Sequence, residues 1–228
     1  EHKLGIKASP TAVLQYGDND GAVAELIGHE NRGLETMFIM MNAARYAVGV
    51  QGIALAERAY QQAVAYARDR VQSRPVDGSM HAAAPIIHHP DVKRMLLTMR
   101  ACTEGCRAMA LVAAAAYDAS HHHADAEQRQ QNQAFYEFLV PLIKGYSTEM
   151  SLEVASLGVQ VHGGMGYIEE TGAAQYLRDA KILTIYEGTT AIQANDLVGR
   201  KTVRDGGQTA KAIARQIEAT EQRLAASG

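Results

Sequence analysis

The sequence predicts a mainly α-helical fold, an antiparallel four-helix-type bundle with a short β segment at its N-terminus. Three observations carry that expectation. Apolar residues recur at helical spacing over long stretches, glycine and proline clusters separate those stretches, and only the first residues pattern as strand. With 228 residues, 47% of them hydrophobic, the chain is long enough to bury a real core.

Residues 4–27 read as β, with Leu14-Gln15-Tyr16 after Ser9-Pro10-Thr11 and a dense turn signal from Gly17 to Gly21. Two short strands cannot form an independent sheet, so they read as the end of a sheet whose other strands lie upstream. The chain also opens without Met, which a missing upstream half would explain, and no targeting segment is expected to be legible. After Gly28 the period changes: Leu34, Met37, Phe38, Met41, Ala44, Val48, Gln51 and Leu55 share one stripe, and the pattern continues to about Val71. A helix of that length, on the order of 60 Å, belongs in a bundle.

The loop 73–90 contains Pro75, Gly78, Pro85 and Pro90. A second helix follows, with Val92, Met95, Leu96, Met99, Cys102, Cys106, Met109, Ala110 and Ala113 on one face. The polar run 120–133 reads as a loop, and a third helix spans about Gln133 to Val161, with Pro141 expected to kink or restart it. Gly163-Gly164 stops that helix. A short helix near 173–180, a linker 181–188, a helix from Thr189 to Arg200 and an amphipathic tail 207–226 complete the chain. The predicted organisation is a β remnant at 1–28, a helical bundle at 29–201 and the start of a C-terminal helical extension at 202–228.

Composition excludes several classes. Net charge is −3 with no basic stripe, which argues against nucleic acid as a partner. Apolar runs are short, as at Leu111–Tyr117, so no membrane span is expected. Cys102 and Cys106 sit four apart on a helix and read as packing residues in a reducing compartment, too few for a metal or cluster site. His121-His122-His123 reads as solvated loop, because chain neighbours share a coordination sphere only when a loop folds around the metal. No metal site is expected.

Two segments carry chemistry. In Gln160-Val-His-Gly-Gly-Met-Gly-Tyr167 a helix ends against glycines, which allow positive φ and close approach to the backbone. A glycine helix stop is the plain alternative, and a dinucleotide fingerprint is excluded because a helix precedes it. In Ile185-Tyr-Glu-Gly-Thr-Thr-Ala-Ile-Gln193, Glu187 precedes a helix whose N-cap reads as Thr189. Free N–H groups at a helix start can stabilise negative charge on a ligand, and desolvation beside Ile185 and Tyr186 would strengthen Glu187 as a base. The alternative is a carboxylate that merely favours a helix N-terminus.

Together these stretches resemble the acyl-CoA dehydrogenase family, whose C-terminal signature runs Gln-x-x-Gly-Gly-x-Gly-Tyr/Phe, Arg-Asp-Ala-Lys and Ile-Tyr-Glu-Gly-Thr. Gln160 to Tyr167, Arg178 to Lys181 and Ile185 to Thr189 stand here in that order, and Lys3 to Thr11 is similar to the stretch leaving the family's middle β domain. The resemblance covers residues 1–200. Departures at Ala8, Ser73-Arg74 and Pro90 accompany it, the latter two fitting the longer bacterial members, whose extra region the tail resembles.

The resemblance implies FAD as cofactor and oxidation of acyl-CoA to trans-2-enoyl-CoA. Glu187 matches the base that takes the α-proton, while Tyr186 and Gly188 would line the acyl and thioester pocket. Gln160, His162, Gly163 and Gly164 match a segment touching the cofactor of a neighbouring subunit, Arg70 matches an arginine near the pyrophosphate, and Thr189 a residue bonding the cofactor. Asn42 and Arg45 resemble a pair on the CoA side, with a buried ion pair as the competing reading of Arg45. Implied partners are the acyl-CoA substrate, an electron-transfer flavoprotein or another acceptor, and further copies of the chain in a homo-oligomer. A cytoplasmic bacterial location is implied. The alternatives are an acyl-CoA oxidase on the same fold, or a non-catalytic helical assembly module; without the upstream domains the chain is expected to be inactive.

Overall fold

The computed structural model describes residues 1–227. Three long helices, α1 (Gly33–Asp69), α2 (Pro90–His122) and α3 (Ala126–His162), form the body. Shorter helices follow: α4 (Ala173–Leu183), α5 (Thr190–Asn195), continued by one π-helical turn at Asp196–Arg200, and α6 (Gln208–Ser227). The fold is mainly α, as the periodicity predicts. The body has three long helices rather than four; α4 and α5 pack against α3, and α4 also against α1.

The connection between α2 and α3 is so short that the two must run antiparallel. The contacts agree: Tyr117 meets Tyr136 at 5.0 Å between ring centroids, and Tyr46 of α1 donates its hydroxyl to the Ala110 carbonyl of α2. α1 and α3 run in the same direction and approach closely through Gly49, where an added Cβ would lie 2.5 Å from the Ile143 side chain. The principal core joins Ile53, Ala56, Ala59 and Ala63 of α1 to Met95, Leu96, Met99 and Cys106 of α2 and to Met150, Val154 and Ala155 of α3. Small residues on α1 facing larger ones on α2 and α3 let the three helices interdigitate. Cys102 and Cys106 are both free, and burial raises both thiols.

Several sequence expectations are corrected. The polar run 120–133 is a loop only at residues 123–125. Asp125 caps α3 by accepting from the Glu127 N–H at 2.9 Å, and Ala126-Glu127-Gln128-Arg129-Gln130-Gln131 are good helix formers. Their polarity reports exposure, not absence of a helix. His121 and His122 accordingly lie in the last turn of α2. Pro141 is buried inside an unbroken α3, where packing offsets the lost backbone bond. Pro90, in contrast, opens α2 at a position whose N–H would have no helical partner anyway.

The N-terminal β expectation is not met: no strand occurs among the described residues, and Val13, Leu14, Tyr16 and Val23 stand exposed. A strand needs a neighbour to satisfy its backbone, and nothing pairs with these residues. The segment is held near its start, where the Ile6 N–H donates to the Asp179 carboxylate at 2.6 Å and Gly5 lies against the Arg178 carbonyl. Among the described residues, no helix is long and apolar enough to cross a membrane.

Candidate active site

The helical elements bring the sequence-predicted residues to three places. The first is a cleft of about 380 Å³ at one end of the bundle, where α1 ends, α2 begins and α3 ends. Arg70, Gln160, His162 and Gly163 line it together with Tyr66, Gln72, Ser73 and His89. Residues 90 apart in sequence meet here because α1 and α3 run parallel and stop at the same level. The floor is shaped by a short antiparallel bridge, Val71 with Pro85, flanked by bonds from Gln72 N–H to the Ala84 carbonyl and from Ile86 N–H to the Arg70 carbonyl.

His162 is buried and stacks on Tyr66 with 4.4 Å between ring centroids. Its Nδ1 lies 2.7 Å from the Gly158 carbonyl, which can only accept, so Nδ1 carries the proton of that bond. Gly163 adopts φ 59°, and both Gly163 and Gly164 are open: a Cβ on either would meet nothing within 4 Å. Arg70 is exposed and forms no ion pair among the described residues.

The second place is the turn between α4 and α5. Glu187 has φ 54°, the left-handed region where residues other than Gly are uncommon, and Gly188 follows at φ 88°. Lys144 Nζ donates to the Gly188 carbonyl at 2.5 Å, and Gln193 Nε2 donates to the same oxygen at 3.1 Å and to the Glu187 carbonyl at 3.3 Å. Thr189 is the N-cap of α5, accepting from the Ile192 N–H at 3.4 Å, and Thr190 donates to Glu149 at 2.6 Å. The Tyr186 hydroxyl donates to Gln51 of α1 at 2.5 Å, and burial together with the Glu187 charge raises its pKa. The N–H groups of Ile185, Tyr186 and Thr190 are bonded within the turn, whereas those of Glu187, Gly188 and Thr189 have no partner among the described residues. The Glu187 side chain is exposed, so the desolvation expected from Ile185 and Tyr186 does not occur within this chain; Ile185 is itself exposed.

The third place is a polar cleft of about 380 Å³ lined by Asn42, Arg45, Phe38, Asp196, Arg200, Lys201 and Arg204. Arg45 is buried and pairs with buried Asp196 at 2.9 Å, the ion-pair alternative read from the sequence, while its Nε has no partner. Lys144, which holds the Glu187 turn, also feels the Arg45 charge. Burial and the nearby Arg45 charge lower its pKa, while Glu149 and Glu187 oppose that shift.

Sequence reasoning missed Lys144, Gln193 and Asp196. The signal was present for Lys144, a cation between Ile143 and Gly145 on an otherwise apolar stretch of α3. Gln193 and Asp196 gave none, since polar residues near a helix start are usually solvated. Asp179 was noticed only as part of a motif; its carboxylate ties residues 5 and 6 to α4.

Residues 31–201 match the family described as acyl-CoA dehydrogenase, C-terminal domain. The chain is 64% identical over 228 residues to the 3-methylmercaptopropionyl-CoA dehydrogenase of Ruegeria pomeroyi, covering 100% of this chain and 38% of that protein. It is 37% identical to the broad-specificity linear acyl-CoA dehydrogenase FadE5 of Mycobacterium tuberculosis, covering 96% of this chain and 36% of the relative. Among solved structures it resembles Caenorhabditis elegans ACDH-11 in complex with C11-CoA, with a TM-score of 0.74 and 27% identity over 87% of this chain and 31% of that one. The chain thus spans little more than a third of the length of these curated relatives. With the family's domain matched over residues 31–201, well over half of its length, this chain belongs to the acyl-CoA dehydrogenase family.

Proposed function

We propose that this chain forms the helical side of the active site of a flavin-dependent acyl-CoA dehydrogenase, with Glu187 as the base. The observation that carries the reading is the Glu187 turn: an exposed carboxylate on a left-handed backbone, held from below by Lys144 and Gln193, beside a backbone N–H without a partner. The thioester carbonyl acidifies the α-carbon of the substrate. Glu187 takes the α-proton onto a carboxylate oxygen, the electron pair of that C–H bond forms the new double bond, and the β-carbon loses hydride. Charge developing on the thioester oxygen is met by the Glu187 N–H, a donor already in place before reaction. Tyr186 and Gly188 line the acyl and thioester channel, and Asn42 and Arg45 face the CoA side.

The residues present fit FAD. An exposed arginine without an acidic partner suits a pyrophosphate, and a glycine turn with free space over Gly163 and Gly164 suits close backbone approach. Arg70, Gln160, His162, Gly163 and Gly164 would hold the cofactor of a neighbouring subunit, and Thr189 would bond that of its own site. FAD, when bound, supplies the acceptor for the β-hydride. The proposed assembly is a homo-oligomer whose upstream domains cover the exposed Glu187, and the proposed redox partner is an electron-transfer flavoprotein or another acceptor. Short linear acyl-CoA thioesters are the proposed substrates, with 3-methylmercaptopropionyl-CoA first because a relative 64% identical bears that name.

The test is anaerobic mixing of the flavin-loaded full-length protein with 3-methylmercaptopropionyl-CoA and with butyryl-CoA. Loss of flavin absorbance with formation of the 2-enoyl-CoA is expected, faster for the first. An unbleached flavin with both, and with longer acyl-CoAs, would remove the dehydrogenase reading and leave a helical assembly module.

A further inference from the structure

Lys144 is the largest side chain that is fully buried, 0% exposed, in the middle of α3. A buried ammonium is costly to desolvate and persists where something specific holds it. Its hydrogen bond goes to a backbone carbonyl of the turn that carries Glu187, at 2.5 Å, a short charge-assisted contact. Gln193, 2% exposed, approaches the same oxygen from α5 and also reaches the preceding carbonyl. The Gly188 carbonyl thus accepts from donors on two different helices. The carbonyls of two successive residues are held, and the residue between Tyr186 and Gly188 is kept at φ 54°. A non-glycine backbone survives there only when its surroundings over-determine it.

We propose that Lys144, acting with Gln193, is a positioning residue for Glu187: the two donors lock the turn in the left-handed conformation from which its carboxylate and its N–H are presented to the substrate. The proposal rests on Glu187 being the base. Neither side chain touches substrate, and the turn would be free to relax to an ordinary backbone without them. Relaxation would swing the carboxylate away from the α-carbon while leaving the flavin cleft, at the end of α1 and α3, unaltered. A merely structural tie between α3 and the turn would instead affect melting and flavin content, and leave the proton-transfer step untouched.

The experiment uses the flavin-loaded full-length protein and its Lys144→Met, Lys144→Arg, Gln193→Leu and Glu187→Gln variants, with butyryl-CoA and its α-dideuterated form as probes. Lys144→Met is expected to lower kcat about 100-fold with KM changed less than about threefold, as for a displaced base, and to enlarge the α-deuterium isotope effect. Lys144→Arg, which keeps charge and donors, should recover most of the loss. A flavin-loaded Lys144→Met enzyme with kcat within about threefold of the parent, or with kcat lowered and the isotope effect unchanged, overturns the proposal. Should Lys144→Met fail to fold, Gln193→Leu decides in the same way, a lowered kcat with an enlarged isotope effect supporting the clamp and an unaltered kcat removing it. Glu187→Gln separates the two readings. Retained turnover there sinks the base assignment itself; lost turnover beside a silent Lys144→Met sinks only the positioning role.

Discussion

Two turns, one after α3 and one between α4 and α5, both carry positive φ, yet they are built in opposite ways. The turn after α3 places Gly163 at φ 59° with nothing near either Gly163 or Gly164. The turn before α5 places Glu187 and Gly188 at φ 54° and 88°, with Gln193 and Ile192 packed against Gly188 and Lys144 holding its carbonyl. Open backbone at the first suits a surface on which a flat ligand lies; crowded backbone at the second suits a side chain that must not move. Positive φ thus occurs once in a bare turn and once in a clamped one.

That contrast can be broken by substitution. The largest effect is expected for Glu187→Gln, which keeps the shape of the clamped turn and removes the base: kcat should fall on the order of 10²- to 10⁴-fold with flavin still bound. Turnover near the parent rate in a steady-state assay would mean that the clamp serves something other than proton abstraction. Gly188→Ala comes next. A Cβ there lies 3.0 Å from Gln193 Nε2 and 3.1 Å from an Ile192 methyl at φ 88°. Strain and crowding together should cost about 2–3 kcal/mol in thermal or urea unfolding.

Gly163→Ala meets a positive-φ backbone penalty without the crowding, so about 1–2 kcal/mol is expected, again from unfolding curves. If it proved as damaging as Gly188→Ala, the openness of the first turn would not be a property of the molecule in solution. The smallest effect on stability, within about 0.5 kcal/mol, is expected for Gly164→Ala, whose φ is not positive. Its flavin content after desalting should nonetheless drop, because the added methyl fills space over the turn. Full retention of flavin would show that no ligand approaches there.

Much of this was legible beforehand. The three long helices were readable because an amphipathic stripe repeats many times along each, so single exceptions such as Pro141 or the polar start of α3 shift a boundary without hiding the element. The Glu187 turn and the glycine turn were readable as motifs. What failed was the N-terminal β segment, whose alternating residues are exposed here. A helix satisfies its own backbone and is local, whereas a strand is only as real as its neighbour. Lys144, Gln193 and Asp196 were missed for a related reason: a polar side chain in a helix looks the same in sequence whether it faces water or a carbonyl from another element.

By itself, then, the amino-acid order determined the helical class, the order of the elements, the family and the residues that carry its signature. Each of these depends on patterns within a few turns of chain or on motif spacing along it. Only the tertiary structure decided that α1 and α3 run parallel and end together, so that Arg70 and His162 share one cleft. It also decided that Arg45 is neutralised by Asp196 and that a buried lysine on α3 reaches the carbonyl beside Glu187. Those facts depend on which faces meet, and a polar group's partner across a helix interface is set by packing of the apolar residues around it, not by its own neighbours in the chain.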